Sequence, residues 1–335
     1  MLKGHQSWVF ENRPVITGTG TAVGPFEGQG PLANDFDIIH GELMLGQESW
    51  EKAEKSLLED AAKLAVDNAN LTKEQVNFWV GGDLMNQIIS TSFAARTMSI
   101  PYLGVFGACS TSMESLAIAS LFVNSRSANH ALASACSHNA TAEKQYRYPT
   151  EYGSQKPPTA QYTVTGAGAS VVSSEGLGPV VTSATIGRIV DMGLTDPFNM
   201  GAAMAPAAVD TIEAHFRDLR IEPDYYDLIV TGDLSKVGYQ LACDLFEKHR
   251  IPIDRTVYSD CGMMIYDYDK QQVQAGGSGC GCSAVVTYGH LLKRIANGEL
   301  KRMLVVATGA LLSPLSYQQG ESIPCIAHAV SIEHA

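Results

Sequence analysis

Apolar positions along the chain fall into two recurring patterns. Trp50, Ala53, Leu57, Ala61, Leu64 and Ala65 repeat at helical spacing with acids and lysines between them, which predicts an amphipathic helix over residues 49–69. Leu116, Leu121 and Val123 predict another. Short, nearly continuous apolar runs such as Leu228-Ile-Val and Met303-Leu-Val-Val-Ala suit strands covered on both faces. The alternation of the two patterns predicts an α/β fold with helices covering mixed or parallel sheets.

The pattern also repeats itself. Arg13-Pro-Val-Ile-Thr-Gly-Thr-Gly finds an echo in Gly178-Pro-Val-Val-Thr-Ser-Ala-Thr, and Trp79-Val-Gly-Gly-Asp-Leu in Val230-Thr-Gly-Asp-Leu, each reading as a buried strand entering a tight turn. Gly107-Ala-Cys109 precedes an apolar helix and the strand Ala131-Leu-Ala-Ser-Ala. Ser278-Gly-Cys280 precedes a helix around 284–295, the turn Asn297-Gly-Glu and the strand from Met303 to Ala307. At an offset of 171 residues (280 − 109) Cys109 falls on Cys280. A duplicated, pseudo-twofold plan follows, with halves at 1–177 and 178–335. One segment fits neither pattern: Ser137 to Pro158 is polar and tyrosine-rich, and reads as a long excursion over the surface or a pocket mouth.

Composition narrows the function classes. The 335 residues are enough for a large core, and 45% hydrophobic against 17% charged residues excludes a disordered chain. With 23 Lys and Arg against 35 Asp and Glu, the net charge of -12 argues against generic binding to nucleic acid or an anionic membrane, so an anionic ligand must be held locally. Seven scattered cysteines predict free thiols in a reducing compartment. The N-terminus lacks the apolar core of a signal peptide, and no stretch reads as a bilayer span. Cys280 and Cys282 lack a second cysteine pair, which argues against zinc.

Candidate chemistry centres on Cys109, at a strand-to-helix turn where Thr111 and Glu114 have the spacing of a capping box. A helix N-terminus there favours a thiolate and hence a nucleophile; the alternative is an inert buried thiol.

The duplicated plan with a cysteine at this turn resembles the thiolase and ketoacyl-synthase superfamily, which implies a layered αβαβα fold and one active site shared by two central helices. The resemblance places the nucleophile at Cys109. It also implies activating His and Asn partners in the second half, where this chain has Gly232-Asp233-Leu234-Ser235 and Gly276-Gly-Ser-Gly-Cys280-Gly-Cys282. Without that pair no acid–base partner for carbon–carbon bond formation is present.

Longer strings resemble a sporulation family within that superfamily: Phe106-Gly-Ala-Cys-Ser-Thr-Ser-Met-Glu, Ser137-His-Asn-Ala-Thr-Ala-Glu, Arg147-Tyr-Pro-Thr-Glu-Tyr-Gly, Met204-Ala-Pro-Ala-Ala, Ala275-Gly-Gly-Ser-Gly-Cys and Val306-Ala-Thr-Gly-Ala-Leu-Leu-Ser-Pro. What this implies is a non-catalytic protein that binds dipicolinic acid (pyridine-2,6-dicarboxylate), with Ca²⁺ accompanying the ligand, for uptake into the developing spore. It further implies a homodimer held peripherally at the spore's inner membrane beside membrane proteins of the same operon, with no nucleic acid and no cofactor.

A flat dianion needs anion donors and a flat wall. Two helix N-termini, after Cys109 and Cys280, could each face a carboxylate, with Gly276, Gly277, Gly279 and Gly281 either admitting the ligand to the backbone or allowing tight helix packing. Cationic candidates are His138, Lys144, Arg147, Lys156 and Arg188. Asp233 could hold a metal, hold a water or cap a turn. The expected ligand-binding set is Cys109, His138, Arg147, Asp233, Gly277, Ser278 and Cys280. Two other readings remain open: an acyltransferase that uses Cys109 with His138 as base, and an assembly subunit with a vestigial pocket.

Overall fold

Ten strands define the frame of the computed structural model, which describes residues 1–146 and 156–335. In chain order they are β1 (Val15–Val23), β2 (Phe78–Asp83), β3 (Tyr102–Gly104), β4 (His130–Ser137), β5 (Gly166–Ser173), β6 (Val180–Ile186), β7 (Leu228–Thr231), β8 (Tyr258–Asp260), β9 (Arg302–Ala310) and β10 (Cys325–Glu333). Their spatial order is β8-β7-β9-β10-β6-β1-β5-β4-β2-β3. It reads as a palindrome in which each strand of the first half maps to the strand five places later. Directions mirror as well: the outer pairs β3·β2, β2·β4 and β8·β7, β7·β9 are parallel, and the inner pairs are antiparallel. At the centre β1 and β6 meet antiparallel at Val15 and Val180. The N-terminal segment crosses the frame, since Ser7–Val9 pairs with β6 of the second half.

Helices follow the same duplication: α1 (Trp50–Asn68), α2 (Ile89–Met98), α3 (Thr111–Asn124), α4 (Asn139–Tyr146), α5 (Met200–Leu219), α6 (Ser235–His249), α7 (Cys261–Met264) and α8 (Cys280–Val285). The last runs on through a π-helical stretch, Val286–Leu291, into Leu292–Ala296. Helix α1 begins where Ser49 accepts from the Lys52 N–H, and it buries the predicted stripe. It lies close on β1 because Gly18 and Gly20 have no side chain: a Cβ there would sit 2.3 Å and 2.2 Å from the carbonyl oxygens of Ala65 and Ala61.

Three apolar clusters register the layering. One, built on Leu57, Ala61, Trp79 and Leu132, lies under α1 and α2. Another, on Met204, Ile212, Ile229 and Leu304, lies under α5 and α6. Between them the largest holds Met113 and Leu116 of α3 with Ala284, Val285 and Leu291 of the second central helix. Outer helices, sheet, central helices, sheet and outer helices make the expected αβαβα arrangement. The pseudo-twofold passes through the centre, where Ser112 and Ser283, themselves 171 residues apart, share a 2.6 Å hydrogen bond.

The polar excursion is corrected at its start: after Ser137 the chain forms helix α4 rather than a loop. No helix of the described residues is long and apolar enough to cross a membrane.

Candidate functional site

Cys109 sits where the sequence places it, in the turn between β3 and α3. The preceding Ala108 is left-handed (φ 50°), a conformation disfavoured for a residue with a Cβ. Two hydroxyls hold it there. Ser110 Oγ donates to the Gly107 carbonyl (2.7 Å), and Thr111 Oγ1 donates to the Ala108 carbonyl (2.7 Å) while accepting from the Gly107 N–H (3.1 Å). Thr111 is thereby occupied, so the capping box with Glu114 does not form, and Glu114 Oε2 has no hydrogen-bond partner. Burial pushes the Glu114 carboxyl up to about 7.

The half-buried Cys109 opens on a cavity of about 60 Å³, walled by Leu84, Ala142, Pro197, Met200, Met204 and Leu312. Its polar points are Cys109 itself, Tyr146, Thr163 and Ser278. Behind the thiol lies Asp233, fully buried in the turn after β7. One carboxylate oxygen accepts from Thr308 Oγ1 (2.7 Å); the other accepts from the Gly279 N–H (2.9 Å) and Ser278 Oγ (3.2 Å). The charge of Asp233 acts on the Cys109 thiol. Asp233 is therefore more than a turn cap: it ties β9 and the loop before α8 to the turn after β7.

Of the two readings of Cys109, this arrangement favours the inert buried thiol. Burial, then the charge of Asp233, hold the Cys109 thiol well above its ordinary range, against a lowering contribution from the Gly279 N–H. A surface-exposed helix terminus contributes about 0.3–1 kcal/mol, too little to offset a buried carboxylate. Asp233 is itself raised by burial, with its hydrogen bonds pulling the other way.

The other expected residues are dispersed. Ser278 lines the cavity; Gly277 lies behind it, its pairing with Tyr162 extending the Ser278–Thr163 bridge. The glycines of this loop serve packing: a Cβ on Gly277 would sit 2.8 Å from Ile265 Cγ2, and one on Gly281 2.4 Å from the Gly166 carbonyl. Cys280 is buried and its thiol donates to the Cys136 carbonyl at 2.9 Å. His138 is turned away. Its Nε2–H donates to the Leu43 carbonyl (2.9 Å), its Nδ1 accepts from the Ala140 N–H (3.1 Å), and burial lowers its pKa, so it is a neutral structural imidazole and no base for Cys109. Lys144, Lys156 and Arg188 are engaged by Glu51, Glu143 and Asp210. Arg147 lies outside the described residues. No cationic side chain among the described residues lines the cavity.

The sequence reading missed the cavity walls. Met200 and Met204 belong to the start of α5 and Pro197 to the segment before it, about ninety residues from Cys109, and nothing local marks that helix as covering the turn. Tyr146 lay within the flagged excursion, and its hydroxyl donates to the Leu84 carbonyl.

Comparison with known proteins places the molecule. The sequence model described as Stage V sporulation protein AD matches residues 4–333. Stage V sporulation protein AD of Bacillus subtilis (strain 168) is 53% identical over 334 residues, covering 100% of this chain and 98% of the relative. Among solved structures, 3-oxoacyl-[acyl-carrier-protein] synthase III from Aquifex aeolicus VF5 superposes with a TM-score of 0.60 at 15% identity, covering 96% of this chain and 99% of that one. Human mitochondrial 3-ketoacyl-CoA thiolase superposes with a TM-score of 0.60 at 12% identity, over 97% and 99%. At those identities the likeness establishes the fold alone.

Proposed function

The chain belongs to the stage V sporulation protein AD family, and we propose that it serves sporulation as a non-catalytic binding protein for dipicolinic acid, with the ligand in the Cys109 cavity. What supports the non-catalytic part is the setting of Cys109, a thiol raised by burial and by the charge of the buried Asp233. Where an acyl-transferring thiolase fold needs a base to take the proton of its cysteine, this chain sets a buried carboxylate that keeps the proton on sulfur. The one base expected for it, His138, is committed to Leu43, and the Gly-rich loop carries no imidazole or amide side chain.

What supports dipicolinate is the family's long strings together with the cavity's chemistry. Apolar walls suit a pyridine ring, and Thr163 offers a hydroxyl to a carboxylate, while Ser278 already donates to Asp233. A dianion here requires Asp233 protonated, or the Ca²⁺ that accompanies the ligand set between the two. About 60 Å³ is less than the roughly 150 Å³ apolar cavity that accommodates a benzene ring, so the ring enters with movement of the flexible Met200 and Met204 side chains. In this reading the protein is a homodimer. It works at the spore's inner membrane from the side, beside membrane proteins of its operon, and Ca²⁺ travels with the ligand rather than residing in the protein.

The test is calorimetric titration with dipicolinate, with and without Ca²⁺, on wild type, Met200→Trp, Ser278→Ala and Arg147→Ala, with acetyl-CoA as control. Saturable dipicolinate binding weakened by Met200→Trp, with no acylation of Cys109, is the expected result. Absence of dipicolinate binding by folded wild type, or transfer of acetyl from the thioester to Cys109, overturns the reading.

A further inference from the structure

We propose that a cleft between the C-terminal ends of α5 and α6 is a binding site for phosphoryl groups, independent of the Cys109 cavity. The two sites lie at opposite ends of α5. Met200 lines the cavity and Arg217 the cleft, and a 20-residue helix spans about 30 Å.

The cleft encloses about 410 Å³ and is lined by three arginines, Arg217, Arg220 and Arg250. Against the two glutamates of the same lining this leaves an excess of one positive charge (3 − 2), in a chain of net charge -12. Arg217 bonds Asp218 Oδ1 at 3.1 Å, while Arg220 and Arg250 have no side-chain partner among the described residues. Two carboxylates also line the cleft: Glu213, engaged by His249 at 3.2 Å, and Glu222. The floor is apolar, formed by Phe216, Ile221 and Ile251.

Arg13 and Arg126 are left-handed outside the cleft, so it is convergence on one cleft, not backbone conformation, that sets Arg217, Arg220 and Arg250 apart. Arg220 and Arg250 end their helices in the left-handed region, with φ of 57° and 60°, where glycine or asparagine is the low-energy choice. The duplication supplies an internal control. At the matching ends of α1 and α2 the left-handed residues are Asn70 (φ 55°) and Ser99 (φ 57°), so the fold does not require arginine there. One carboxylate is saturated by a single guanidinium fork, whereas a tetrahedral phosphoryl group presents oxygens to several. Three arginines over an apolar floor therefore fit a phosphate monoester or diester, supplied either by a lipid headgroup or by a free phosphate compound.

The same backbone geometry yields a clean test. Arg220→Gly with Arg250→Gly removes both charges and relieves both left-handed positions, so the double variant should keep or gain thermal stability. Arg126→Gly removes one charge at another left-handed helix end (φ 59°), after α3 and outside the cleft, and is the control. Binding is read by calorimetry with inorganic phosphate at fixed ionic strength, and by flotation with phosphatidylcholine vesicles with or without phosphatidylglycerol. Loss of about tenfold in affinity per arginine is expected in the double variant and not in the control. A loss confined to the phosphate arm assigns a free phosphate, and a loss confined to the phosphatidylglycerol arm assigns a headgroup. Wild type that binds neither probe, or a double variant that binds both as wild type does, overturns the site. Dipicolinate titration of the double variant keeps the two sites distinguishable: it should match wild type whether or not phosphate binding is lost.

Discussion

Replacing Asp233 with asparagine removes the negative charge behind Cys109 while keeping the shape of the side chain. The hydrogen bonds can largely be rebuilt: the amide oxygen takes the Gly279 N–H, now at 2.9 Å from the carboxylate, and the amide N–H₂ donates to the Thr308 hydroxyl, which rotates to accept. What is lost is the charge assistance of bonds that converge on a buried carboxylate, a cost of about 1–2 kcal/mol, so the variant stays folded. The thiol should respond more than the fold. One cause that raises it, the Asp233 charge, disappears, while the largest, burial, stays. The Cys109 pKa should fall yet remain above that of a free thiol, and a fall of one multiplies the thiolate fraction about tenfold. Native-state alkylation with iodoacetamide at about pH 8, followed by peptide mass mapping, reads this directly. Cys109 is half-buried and the other six cysteines are buried, so labelling before unfolding reports one site. Equal labelling rates in wild type and in folded Asp233→Asn, or a wild-type Cys109 that labels as fast as a free thiol, would refute the claim that Asp233 keeps the proton on sulfur.

Stability should depend on pH in two windows. Glu27, Glu114 and Asp260 are raised by burial to about 7, so the stability they add is full below their unfolded values near 4 and lost as pH rises through 7. His215 and His328 are lowered by burial to about 3 and about 4, so their contribution is present above about 6.5 and lost as pH falls below it. The melting temperature should therefore fall gently from about pH 5 to 7, where three carboxyls outweigh two imidazoles, and level off by about pH 8; a rise between pH 5 and 7 contradicts the assignment. Gly309→Ala should destabilise by more than about 2 kcal/mol in denaturant melts, because its Cβ would lie 2.0 Å from the Gly107 carbonyl in the turn that carries Cys109. Ser112→Ala and Ser283→Ala should each cost about 1 kcal/mol and show a coupling of similar size in a double-mutant cycle; additivity would mean that the bond on the pseudo-twofold contributes nothing.

Much of the architecture was legible because duplication leaves a trace that local reading can find. The offset that sets Cys109 on Cys280 is the spacing of Ser112 and Ser283, the pair that meets at the centre of the molecule. Strands such as β7 and β9 announced themselves as apolar runs because sheets covered on both faces leave no polar side to alternate with. The excursion was misread at α4, where Asn139–Tyr146 buries only Thr141 and Ala142 and so shows almost no amphipathic stripe.

The candidate site was legible only where chemistry is carried by local sequence. Cys109 could be placed at a helix start from Gly107-Ala-Cys-Ser-Thr, but the state of its proton could not, because that depends on Asp233, 124 positions away (233 − 109), and on burial from both halves. The sequence did reveal that the catalytic histidine and asparagine are missing from their turn and loop. A missing base and a present carboxylate have different consequences, however. Losing the base would leave an ordinary thiol that still equilibrates with thiolate near neutral pH. Setting a buried carboxylate against it lowers the thiolate fraction further, since ionising the sulfur would place a second negative charge near Asp233. The proton of Cys109 is thus governed by a residue of the other half of the chain, which no reading of the Gly107-Ala-Cys turn alone could supply.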